Sequence, residues 1–124
     1  MKYFTLITFF LISFQASGQK ISKSDLIGCW TDSSEENIQG SNEYIYRPCD
    51  YKIFPSARFR FKMNLKGGSV CSYLVLSPDD GHYMTNGSWS FNEETNQLKI
   101  YDGDIEIFKC IIESVEHNLL KIKN

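Results

Sequence analysis

Apolar and polar residues alternate in short runs along most of this 124-residue chain. No window holds a helical period, and turn residues separate the runs, which is the pattern of an antiparallel all-β domain. The first run covers residues 26–31. A polar stretch follows at 32–43, where Gly40 and Asn42 favour a loop. Tyr44 to Tyr46 leads into Pro48 and Cys49, and residues 50–54 read as the second strand, stopped by Pro55. Residues 58–65 alternate most clearly: Phe59, Phe61, Met63 and Leu65 share one face, and Arg58, Arg60, Lys62 and Asn64 the other. Further strands are expected at 70–77, 83–91, 97–101, 105–115 and 119–123. The fifth of the eight carries Tyr83, Thr85, Gly87, Trp89 and Phe91 on one face. Asp102-Gly103 is a two-residue hairpin signal. About eight short strands joined by turns hide their edges most simply by closing into an antiparallel up-and-down barrel, with a sandwich as the alternative.

The N-terminus has a different pattern. Lys2 precedes an apolar run over residues 3–14, and Ala16 and Gly18 are small. This is the layout of a secretory signal over residues 1–18, which leaves 19–124 as one exported domain, periplasmic or extracellular. The run is shorter than the roughly 20 residues that span a bilayer, and no second stretch could do so. Leu26-Ile27-Gly28-Cys29 looks like a lipid-attachment box, but Lys20, Lys23 and Asp25 separate it from the apolar run.

Composition then narrows the chemistry. Four cysteines, Cys29, Cys49, Cys71 and Cys110, lie beyond the signal, and an even count in a short exported chain implies two disulfides. Three pairings are possible. The net charge of −2 offers no basic surface for nucleic acid. His82 and His117 fall beside turns without a second histidine at ligand spacing. Asp79-Asp80-Gly81 lacks the later ligands of a calcium loop and reads as a turn. Nucleophile elbows, zinc-protease motifs and phosphate loops do not occur. Arg58, Arg60, Lys62 and Lys66 form a basic stripe, the polar outer face that a barrel strand needs. The expectation is a protein that binds rather than catalyses, without metal or cofactor.

Gly28-Cys29-Trp30 resembles the G-x-W signature of lipocalins. Cys49-Asp50-Tyr51-Lys52-x-Phe54, Val70-Cys71, Gly87-Ser88-Trp89 and Asn96-Gln97-Leu98-x-Ile100 extend the resemblance to the small lipocalin-like domains of exported bacterial proteins. The resemblance implies a barrel with Trp30 across its closed end. It also implies a Cys49–Cys71 disulfide, which leaves Cys29 for Cys110. Gly28, Trp30, Gly87 and Trp89 would then be structural, each glycine making room for an indole. Phe59, Phe61, Met63, Leu74, Leu76, Tyr83, Trp89 and Phe91 would line the interior and hold a small apolar ligand. The alternative is a barrel filled by its own side chains that docks a protein partner, with the loop 32–43 as the contact.

Overall fold

A computed structural model describes residues 20–79 and 81–124; the expected signal at 1–18 and Asp80 of the expected turn lie outside them. Among the described residues, eight strands close into an antiparallel barrel. They are β1 (Gly28–Asp32), β2 (Glu43–Pro48), β3 (Lys62–Leu65), β4 (Val70–Leu76), β5 (His82–Asn92), β6 (Gln97–Asp102), β7 (Ile105–Glu116) and β8 (Leu119–Lys123). No helix among these residues is long and apolar enough to cross a membrane.

From β3 to β8 the strands follow one another around the wall as a meander. The first two do not continue that order. β1 lies between β3 and β2, and β2 closes the barrel against β8. Thr31 pairs with Arg47 of β2 on one side and with Lys62 of β3 on the other, both antiparallel. β2 and β3 therefore point the same way, and residues 49–61 must travel the length of the barrel between them. The second strand expected at 50–54 is part of this strap, and Glu43–Pro48 is the strand instead. The strand expected at 58–65 begins only at Lys62, because Arg60 turns away to hold Glu35 and the carbonyls of Asp32 and Pro55.

The strap is anchored at its start by a Cys29–Cys49 disulfide. This corrects both expected pairings: Cys71 and Cys110 are free thiols buried in the interior. Cys29 is on the outer side of β1, where Cys49 begins the strap, whereas Cys71 and Cys110 share the inward side of their strands with the core. Arg47 lies 4.6 Å over the Tyr51 ring, and Arg60 lies 5.3 Å over that of Phe54. Thr31 and Ile45, at outward positions, are buried.

One end of the barrel is sealed. The chain enters through a 3-10 turn, Lys23–Leu26, that buries Ile21 and Leu26. Trp30 donates its indole N–H to the Leu26 carbonyl (3.0 Å), and Trp89 donates to the Lys66 carbonyl (2.9 Å). Lys23 spans the seam, its backbone N–H donating to Glu93 and its ammonium lying 4.7 Å over Trp89. Gly87 does leave room for an aromatic ring, but that ring is Tyr73's: a Cβ there would lie 2.9 Å from it and 2.4 Å from the Tyr101 carbonyl oxygen. Above this floor Met63, Leu65, Leu98, Ile100, Ile112, Leu120 and Ile122 fill the middle of the barrel, each 1% exposed or less.

Candidate functional site

The opposite end carries the loops 33–42, 77–81 and 103–104. Strand register defines its inward-facing layers. Trp30, Met63, Tyr73 and Thr85 face one another across β1, β3, β4 and β5. Two residues further toward the open end, the same register brings Asp32, Phe61, Val75 and Tyr83 into one layer. The Asp32 N–H donates to the Phe61 carbonyl at 2.9 Å, and Val75 pairs with Tyr83. Tyr46 stands across from Asp32 on β2. Phe108 of β7 stacks on Phe61 with ring centres 5.0 Å apart. Burial falls off at this rim: Phe61, Val75 and Phe108 are partly covered, and Tyr83 is 51% exposed.

Asp32 is the polar exception in that layer. Alternation along β1 puts it on the same face as Trp30. It is half-buried, and its buried Oδ1 has no hydrogen-bond partner among the described residues. Burial pushes its carboxyl above the usual aspartate range, against the pull of Arg60 and with a smaller push from Glu35. Burial raises the Tyr46 phenol strongly, and the charge of Asp32 adds to the rise. Burial likewise raises Tyr73, with help from Asp102. Neutral phenols beside a half-desolvated carboxylate are the result.

Beneath the adjoining loop, Glu36 receives two bonds from Arg47 and one from Ser33, which hold it down at about 2. Glu35 is also held at about 2, chiefly by its bonds to Arg60. The loop 33–42 is thus fixed by three ion pairs, from Arg47 of β2 and from Lys52 and Arg60 of the strap. In the expected basic stripe, Arg60 is committed to Glu35.

The residues expected to line a ligand cavity divide among several places. Phe61 and Tyr83 belong to the rim layer. Phe59 lies outside the strands, edge-on to His82 at 5.5 Å. Met63 and Trp89 are packed in the filled middle and floor, and Phe91 packs on the core near the closed end. Leu74 and Leu76, expected inward, face outward: β4 turns Cys71, Tyr73 and Val75 to the core, and Leu74 pairs with the exposed Met84. Asp32, Tyr46 and Phe108 belong to the rim although the ligand reading passed over them. The signal for Asp32 was available, since it follows Trp30 by two positions in an alternating strand.

Elsewhere, a groove of about 880 Å³ runs along the closed end beside Ile21, Trp30, Val115 and His117. Another of about 450 Å³ flanks the disulfide between Ile27, Pro48 and His117. Burial raises the Cys71 thiol and pushes that of Cys110 up to about 12, so both stay protonated and unreactive at neutral pH. Among the described residues no three His, Cys, Asp or Glu side chains gather to hold a metal. In comparisons with protein-family models, curated proteins and solved structures, nothing matches this chain.

Proposed function

We propose that this is an exported, lipocalin-like binding protein that takes a small, partly apolar ligand at the open rim of its barrel. One observation carries the reading: the inward layer of Asp32, Phe61, Val75 and Tyr83 remains partly open above a middle packed solid with side chains. A sealed floor and an aromatic mouth with a few polar groups are what a small-molecule site needs. The filled middle moves the ligand from the depth of the barrel to its lip. Export is supported by the disulfide and by the N-terminal pattern. Such a protein binds without catalysing.

The protein-docking alternative draws support from exposed aliphatic side chains on the loops, Ile38 at 71% and Ile53 at 99%. Native mass spectrometry of the protein from its producing cells, before and after organic extraction, separates the two. A mass excess lost on extraction supports a small ligand. A mass equal to the bare chain in both samples supports docking of a protein.

A further inference from the structure

The rim contains a half-buried carboxylate that forms no ion pair among the described residues, and its Oδ1 has no hydrogen-bond partner there. The cation whose charge acts on Asp32 is Arg60, and its four terminal N–H donors are already spent. Two go to the Glu35 carboxylate, one to the Pro55 carbonyl and one to the carbonyl, not the carboxylate, of Asp32 itself. Arg60 is therefore paired with Glu35 and gives no hydrogen bond to the Asp32 carboxylate, which it reaches only through its charge. Asp102 brings a second negative charge close enough to Tyr73 to influence its phenol. The inner rim is consequently negative, and anionic ligands are disfavoured there.

A buried polar atom without a partner calls for an explanation, and a water, an ion or a ligand group can complete it. The surroundings specify that group. Asp32 stands between Tyr46 on β2 and Phe61 beside β3, with the Phe61–Phe108 stack behind and Tyr83 in the same layer. Aromatic faces attract cations, and a partly desolvated carboxylate attracts them more strongly than one in water. A neutral donor would satisfy the oxygen but leave the field of the rim unused.

We infer that Asp32 is the anchor for a protonated amine, and that the ligand class is a small organic ammonium with an apolar or aromatic body. The ammonium hydrogen-bonds Asp32 Oδ1 and the body lies against Phe61, Val75 and Tyr83. This inference rests on the rim-binding reading above and assigns the chemical class that the reading leaves open.

The test uses two probes of similar shape, 2-phenylethylammonium and neutral 2-phenylethanol. Each is titrated into the 15N-labelled protein and into its Asp32→Asn variant, with amide shifts as the readout. The expected result is that both perturb the amides around Phe61, Val75 and Tyr83, the ammonium with roughly tenfold lower Kd. Asp32→Asn should abolish that preference and leave the alcohol's Kd within about twofold. If the alcohol maps to the rim but the ammonium binds no tighter, or if Asp32→Asn keeps the preference, the assignment of Asp32 is overturned while rim binding stands. If neither probe reaches the rim, rim binding fails and the assignment fails with it. Should the variant not fold, the two Kd values on the unaltered protein decide the question.

Discussion

The indole N–H of Trp30 donates to the carbonyl oxygen of Leu26, four residues back and 3.0 Å away. That bond folds the entering chain under the barrel, so Leu26 becomes fully buried and one end is sealed. Trp30→Phe removes the donor, leaves a buried carbonyl unmet and opens a cavity. The expected cost is about 2–4 kcal/mol. Urea denaturation of the variant should show a lower midpoint with an unchanged slope.

The Cys29–Cys49 bond closes a loop with a sequence separation of 20 and ties the strap to β1. Chain-entropy arguments value such a closure at about 3 kcal/mol. The paired change Cys29→Ser and Cys49→Ser should lower stability by about that amount, while Cys71→Ser with Cys110→Ser should leave the disulfide intact. Thiol titration should find two free thiols after denaturation, and almost none before it, because both are buried.

Asp32 and Glu36, four positions apart, should respond oppositely to pH. Glu36, held at about 2 against an ordinary 4.5, stabilises the fold above pH 4.5 and loses that contribution as pH falls toward 2. Its side chain is 31% exposed, so the contribution is that of a surface pair, about 1 kcal/mol. Asp32 is shifted upward, so it favours the fold only while protonated and costs stability as pH rises through its folded value. Melting curves against pH should therefore show Glu36→Gln flattening the acid limb. Asp32→Asn should raise the Tm at pH 7 but not at pH 3.

Gly87 is required by its surroundings. A side chain there meets the Tyr101 carbonyl oxygen at 2.4 Å and the Tyr73 ring at 2.9 Å, and a main-chain carbonyl has little room to give. Gly87→Ala should destabilise by about 2–3 kcal/mol, measured by thermal unfolding.

The barrel was legible because period-2 alternation and turn residues are local signals: residues 97–101 and 119–123, expected as strands, lie within β6 and β8. What escaped was non-local. β4 is apolar at nearly every position, so nothing in Val70–Leu76 says which face turns inward. Leu74 and Leu76 were set on the wrong face for that reason. The strap at 49–61 looks strand-like in Asp50–Phe54, yet it exists only because β1 inserts between β2 and β3. That same insertion brings Cys49 to Cys29, a proximity that spacing cannot reveal. Alternation suffices to place Phe61 and Tyr83 on the inward face. Tyr46 escapes because the second strand is expected at 50–54, whereas it is Glu43–Pro48 that pairs with β1 and β8. Asp32 reads as the first residue of the polar loop, and only its pairing with Tyr46 extends β1 to include it.

Tyr83 and Met84 are neighbours on β5 that point to opposite sides of the wall, inward and outward, at 51% and 42% exposure. The most direct measurement is the fluorescence titration of the neutral probe N-phenyl-1-naphthylamine against the protein, Tyr83→Ala and Met84→Ala. Binding at the inner rim predicts at least a fivefold loss of affinity for Tyr83→Ala and none for Met84→Ala. A loss confined to Met84→Ala, or no loss in either, would contradict it.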